Sequence, residues 1–305
     1  MSVDVSVIIA TYNVENYIQR SVDSALASVD VNVEVIIVDD CSTDNTWSLL
    51  QEIDDSRVHV YQLPQNSGPS VARNEALSHC KGEWVAVLDG DDAFEPQRLS
   101  RLLATARNKE ADWVIDNLTI VQEIDDTRIP MFKNFDQYDT ISLGDYIAGN
   151  RFGGKDYPLG YTKPFISRSF LEKHSLRYNP EIRIGEDYIF MAEALALGAK
   201  CITENSSGYL YTVRAGSISH RIKPEDIQVI QHIDAQFISK YPLEGKALKA
   251  QKKRQANLKE MYAFTLLVDA IKSKDLKGIF KSLLLGPTAP RHLSEAIMKR
   301  LKGRS

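Results

Sequence analysis

Four short apolar runs, at 3–10, 33–38, 58–63 and 84–88, each stop at a polar cluster, and the segments between them carry helical periodicity. The runs are nearly uninterrupted rather than alternating, as strands buried on both faces require, so the first 115 residues predict an α/β fold with a Rossmann-like, mostly parallel sheet flanked by helices. Val14, Ile18, Val22, Ala25 and Leu26 recur at helical spacing behind a possible cap at Asn13. Trp47, Leu49, Leu50 and Ile53 do so behind Ser42 or Thr43, and Pro69 suits the first turn of a helix through Val71, Ala72 and Leu77. Pro96 opens another with Leu99, Leu102 and Leu103, and residues 113–115 predict a fifth strand.

In an open sheet of this kind ligands bind outside the carboxyl ends of the strands. The polar clusters fall there: Thr11-Tyr12-Asn13, Asp39-Asp40, Asn66-Ser67-Gly68 and Asp89-Gly90-Asp91-Asp92. Together they predict a nucleotide pocket. Three carboxylates within four residues repel one another, and a hard cation held by one or two of them plus phosphate oxygens relieves this. An isolated acidic turn would be ordinary surface charge. This one emerges from an apolar strand beside three other clusters, which favours a hard divalent cation.

Other classes lack their signatures. There is no Walker A or Gly-x-Gly-x-x-Gly sequence, no Gly-x-Ser-x-Gly elbow, and no metal-ligand spacing among Cys41, Cys80, Cys201 or the scattered histidines. The cysteines read as free thiols of a reducing compartment. No apolar run reaches membrane-spanning length and no secretory leader pattern opens the chain, so a cytoplasmic location is expected. Periodicity weakens between 121 and 160, read as loop-rich, and resumes at 165–172 and 187–197.

The series Ser6-Val7-Ile8-Ile9-Ala10-Thr11-Tyr12-Asn13, Val38-Asp39-Asp40-Cys41-Ser42-Thr43-Asp44, Asn66-Ser67-Gly68-Pro69-Ser70-Val71-Ala72-Arg73-Asn74 and Leu88-Asp89-Gly90-Asp91-Asp92 resembles the family 2 glycosyltransferases in order and spacing. The resemblance implies a GT-A fold. It also implies that Ala10 and Tyr12 line a nucleobase pocket and that Asp40, or failing it Asp39, accepts a bond from the base. Arg73 would approach base or phosphate, unless it pairs with Glu75 or Glu95 on the surface. Asp91 and Asp92 would share the ribose contacts and those to Mg2+ or Mn2+, and Asp89 would complete the DxD pattern on the donor side. A later motif, Gly185-Glu186-Asp187-Tyr188, resembles the family's acidic pair at a helix start. Asp187 would be the base of an inverting transfer and Glu186 its orienting neighbour, although acids also favour helix starts on dipole grounds. The tyrosine-rich stretch 209–220 looks like the family's strand and mobile loop, with Arg214 on the donor diphosphate and His220 as a further metal ligand or an ordinary loop histidine.

Residues 88–99 are similar to succinoglycan-type glucosyltransferases, which implies UDP-glucose as donor and a glycan or lipid-linked sugar acceptor in cell-surface polysaccharide assembly. A sugar-nucleotide pyrophosphorylase, or a non-catalytic glycan-assembly scaffold, are the alternatives. The expected organisation is a catalytic domain at 1–240, with a nucleotide half at 1–115 and an acceptor half at 116–240, then a basic amphipathic helical tail at 241–305. From Glu244 onward the chain holds 15 Lys and Arg against 5 Asp and Glu, a net +10, whereas residues 1–243 hold 22 against 36, a net −14. Such a tail either lies peripherally on an anionic membrane, here the inner face of the cytoplasmic membrane, or packs on the body or on a second subunit as a homodimer. The acidic body and the lack of any recognition motif speak against nucleic acid.

Overall fold

The computed structural model describes residues 2–150, 157–213, 222–286 and 290. The chain divides into two compact units, 1–143 with 159–217 and 144–158 with 218–305.

The first unit begins as expected. β1 (Val5–Thr11), β2 (Val33–Asp39), β3 (Val58–Gln62) and β4 (Trp84–Asp89) form a parallel sheet in the order β3-β2-β1-β4. Their interior side chains, Val7, Ile8, Ile36, Ile37 and Leu88 among them, are wholly buried, which is why the runs are unbroken. The helices between them are α1 (Ile18–Leu26), α2 (Thr46–Gln51) and α3 (Pro69–Ser78). Two starts fall later than the sequence suggests. Asn13, at a φ of 52°, does not cap α1; its Oδ1 accepts the Thr43 N–H at 2.8 Å. Ser42 does not cap α2 either, because its hydroxyl donates to Asp39.

Beyond β4 the sheet becomes mixed. β5 (Ala93–Phe94), α4 (Arg98–Lys109), β6 (Trp113–Gln122), β7 (Arg128–Pro130), β8 (Phe165–Ser167), α6 (Arg168–Lys173), α7 (Glu186–Ala196) and β9 (Cys201–Val213) belong here. The order continues β4-β8-β6-β9-β5, with β8 antiparallel to both β4 and β6, β9 parallel to β6, and β5 antiparallel to β9. The sheet is thus wholly parallel through its first four strands and mixed beyond them, where β6 and β9 again run parallel. Part of the stretch read as loop-rich is a β6–β7 hairpin, short enough to leave little periodicity.

The second unit gathers α5 (Leu143–Ala148), less its first residue, with α8 (Pro224–Lys240), α9 (Gly245–Lys272) and α10 (Leu276–Leu285). Ile227 and Ile230 of α8 share a core with Leu258 of α9, and Met261 and Tyr262 pack against it. That apolar seam carries α8 into the helical unit, so the boundary expected at 240 falls inside it. Among the described residues no helix is long and apolar enough to cross a membrane.

Candidate active site

The parallel register sets Ala10 beside Val38 and Asp89, and Thr11 beside Asp39. Four polar clusters separated by up to eighty residues thereby meet at one sheet edge. Tyr12 stands at that edge, 36 % exposed, with Ala10 half-buried behind it.

The two aspartates after β2 do different work. Asp39 is fully buried and accepts from the Thr11 hydroxyl, from both the hydroxyl and N–H of Ser42, and from Gln62 Nε2, which binds the ends of three strands together. Asp40 accepts the N–H groups of Ser67 at 2.6 Å and Gly68 at 2.8 Å, and Asn66 Nδ2 at 3.0 Å. It thus shapes the loop before α3, where Gly68 has a φ of 95° that only glycine adopts cheaply.

The asparagine-to-asparagine motif of that loop and helix is a delivery device. Ser70 donates to the Ile182 carbonyl, and Asn74 exchanges two bonds with the backbone of Tyr178. These bonds hold the segment leading into α7, at whose head Glu186 and Asp187 lie buried. Arg73, 4 % exposed rather than on the surface, reaches Glu186 Oε1 at 2.6 Å, Asp187 Oδ1 at 3.3 Å and Asp89 Oδ1 at 2.7 Å. Neither Glu75 nor Glu95 is its partner. Its guanidinium also lies 5.3 Å from the centre of the Tyr178 ring, which stacks on Phe190.

Lys163 completes the cluster and was invisible in the motifs. β8 runs antiparallel to β4 with Phe165 opposite Ala86, a register that brings Lys163 level with the end of β4. Its ammonium bridges Asp89 Oδ2 at 2.7 Å and Asp187 Oδ2 at 3.0 Å. Two cations therefore serve three carboxylates, Glu186 and Asp187 buried and Asp89 half-buried. Burial alone would discharge Lys163 and Arg73, but Asp187 and Asp89 hold both pKa values well above normal. Burial would likewise raise Asp89, yet Lys163 and Arg73 hold its carboxyl below the usual range. Burial pushes Glu186 up, and the pull of Arg73 does not fully reverse it.

Asp92 departs from the metal-ligand expectation. It is 1 % exposed, and its oxygens accept the Thr212 N–H at 2.8 Å and the Tyr209 hydroxyl at 2.7 Å, while Asp89 N–H donates to that same hydroxyl. Burial, with the charges of Asp91 and Asp89, drives its carboxyl well above the ordinary range. Its geometry is that of a brace between the acidic turn and β9. Arg20 adds a second tie, to the Asp91 carbonyl and the Thr212 hydroxyl, both at 2.6 Å. Beneath the turn, Arg98 pairs with Asp116, both side chains fully buried, and lies 5.2 Å from the Tyr209 ring centre.

Asp91 is half-buried. Among the described residues no three His, Cys, Asp or Glu side chains are grouped to enclose an ion. One partly open carboxylate beside a second that is shared with cations suits Mg2+ or Mn2+, which keep waters and take ligands from a bound diphosphate. Arg214 and His220 lie outside the described residues.

The acidic turn at the end of β4 and the acidic start of α7 are thus drawn together at one sheet edge. The glycosyl transferase family 2 model matches residues 6–175, and the chain belongs to that family. It is 40 % identical over 301 residues to the succinoglycan biosynthesis protein ExoO of Rhizobium meliloti, covering 98 % of this chain and 86 % of that one. The fold resembles TarS of S. aureus in complex with UDP-GlcNAc, with a TM-score of 0.67 and 21 % identity over 95 % of this chain and 92 % of TarS. It also resembles the mannosyltransferase PcManGT of Pyrobaculum calidifontis in complex with GDP-Man and Mn2+, with a TM-score of 0.60 and 18 % identity over 99 % and 81 % of the two chains.

Proposed function

We propose that the protein is an inverting, metal-dependent hexosyltransferase that moves a sugar, glucose in the first instance, from a UDP-sugar to a glycan or lipid-linked sugar acceptor during cell-surface polysaccharide synthesis. The observation that carries this reading is the Lys163 bridge. It holds Asp89 of the donor-side turn and Asp187 of α7 on one ammonium, although about a hundred residues separate them. The likeness to a succinoglycan biosynthesis protein and to a UDP-GlcNAc complex supports the donor and the product class.

Tyr12 would stack on the base, and Asp40, whose Oδ1 carries a single bond among the described residues, would accept from it. Asp91 would hold Mg2+ or Mn2+ with the donor phosphates, and the cation would neutralise charge growing on the departing diphosphate. Asp187 would take the acceptor hydroxyl proton. Its Oδ1 is the better placed atom, since the Arg73 bond there is long at 3.3 Å while Oδ2 is held by Lys163 at 3.0 Å. Glu186, bound to Arg73, would fix the angle of that carboxylate's helix turn. Arg214 on the diphosphate and His220 on the metal belong to the same proposal. We place the protein in the cytoplasm, peripherally on the inner face of the membrane through the C-terminal unit.

A donor panel assayed with and without Mn2+ or Mg2+ tests the reading. UDP-glucose turnover that needs metal, is abolished by Asp91→Ala, and is lost without loss of donor binding in Asp187→Asn is the expected result. Metal-independent turnover, or an Asp187→Asn enzyme at full rate, would falsify it. Pyrophosphate release from UTP and sugar phosphate would favour a pyrophosphorylase instead.

A further inference from the structure

The sequence Leu276-Lys277-Gly278-Ile279-Phe280-Lys281-Ser282-Leu283-Leu284-Leu285 forms α10 with two apolar faces, of which α9 covers one. Ile279 packs against Ala263 and Leu267 of α9, and Ser282 is fully buried. Gly278 and Gly286 bring the helix in so closely that a Cβ on either would stand 3.0 Å and 2.6 Å from the methyls of Ala270 and Ala263. α10 is therefore fixed in rotation by a close-packed seam and cannot roll its other face inward.

That other face is apolar and in water. Leu276, Phe280, Leu283 and Leu284 follow one another at intervals that place them on a single helical stripe. Leu276 is 80 % exposed, Phe280 66 % and Leu284 71 %. Among the described residues no other element exposes so many large apolar side chains. Lys277 and Lys281 run along one edge of the stripe, and Lys272 and Lys274 stand exposed just before it. Against these four lysines the same stretch offers only Asp269 and Asp275, and Asp275 accepts the N–H of Lys277 as the cap of the helix.

We infer that this face of α10 is the surface by which the protein lies on an anionic lipid bilayer, Leu276, Phe280, Leu283 and Leu284 entering the acyl boundary and the lysines meeting the headgroups. The inference rests on the peripheral-membrane reading given above and localises it to one helix face. Charge decides between occupants. A two-fold contact with a second copy sets each patch against itself, bringing its lysines together, whereas an anionic headgroup layer neutralises them. A bulky apolar stripe edged by lysine is what the bilayer interface accommodates.

Flotation with phosphatidylglycerol–phosphatidylcholine vesicles, against phosphatidylcholine alone, is the test, run on the full chain. The wild-type chain is expected to float with the anionic vesicles and to release as salt rises. Leu276→Glu, Phe280→Glu and Leu284→Glu together should lower binding by at least about tenfold, since they place charge at the acyl boundary. Lys277→Gln with Lys281→Gln should lower it on the order of tenfold and flatten its salt dependence. Circular dichroism and turnover of soluble donor should not change in either variant, which separates this inference from the transferase reading. Anionic vesicles that still bind the triple variant overturn the assignment of the face while leaving peripheral attachment intact. A wild-type chain that ignores vesicles overturns both. A wild-type dimer, seen by light scattering, that the triple variant alone converts to monomer overturns the assignment of the face to lipid.

Discussion

Each unit buries an arginine against carboxylates, with opposite balance. In the helical unit Arg254 and Gln251 both bind Asp234, and Arg254 also donates to the Asn150 carbonyl at 2.9 Å. Among the described residues Arg254 meets this one carboxylate. In the catalytic unit Arg73 and Lys163 meet Asp89, Glu186 and Asp187, two cations for three anions. A balanced pair fixes how helices pack. A surplus carboxylate at a sheet edge is costly for architecture alone, which is why the proposed function puts the chemistry there.

The sharpest way to break the contrast is to remove the cation on each side. Arg73→Met leaves three carboxylates, two of them buried, with one lysine, and Arg254→Met leaves the buried Asp234 without this cation, so each should cost about 3–5 kcal/mol in urea unfolding. The second step separates the two. Adding Asp234→Leu to Arg254→Met should recover most of the loss, because a balanced pair is replaceable by apolar side chains, whereas no single carboxylate removal should restore both stability and turnover to Arg73→Met. A double variant at Arg254 and Asp234 that stays as unstable as the single one would show that the pair does more than pack.

Asp187→Asn is expected to keep donor affinity by calorimetry and to lower kcat by about 10²–10⁴, the range for loss of a general base. Tyr209→Phe removes the hydroxyl shared by Asp92 and Asp89 N–H and should cost about 1–3 kcal/mol, with KM for the donor rising as the acidic turn loosens. The smallest effect concerns pH. Glu186 has a carboxyl raised above its ordinary 4.5, so the folded chain keeps a proton that the unfolded chain releases. Its contribution to stability is full below that ordinary value and is lost as pH rises through the folded value; Glu186→Gln should flatten the unfolding free energy across that window.

Much of the catalytic unit was legible because its signals are local. Unbroken apolar runs gave β1 to β4, and the polar clusters at their ends meet at one sheet edge, since parallel strands must present their carboxyl ends together. Helix starts at Ile18 and Thr46 were missed because Asn13 and Ser42 spend their side chains on the neighbouring loop and strand end rather than on caps. The hairpin after β6 is too short to leave a period, and α8 joined the helical unit through side chains that any amphipathic helix could carry.

Residue types at the strand ends and at the head of α7 came from the sequence alone: Asp40, Asp89, Asp91 and Asp187 are what they are wherever the chain goes. Which of them faces solvent and which is spent inside was decided by tertiary structure, because a carboxylate's role depends on the donors around it. Asp39 and Asp92 are consumed by hydrogen bonds from neighbouring strand ends, and Lys163 enters only through antiparallel register with β4. Those are contacts between residues far apart in the chain, and no local pattern encodes them.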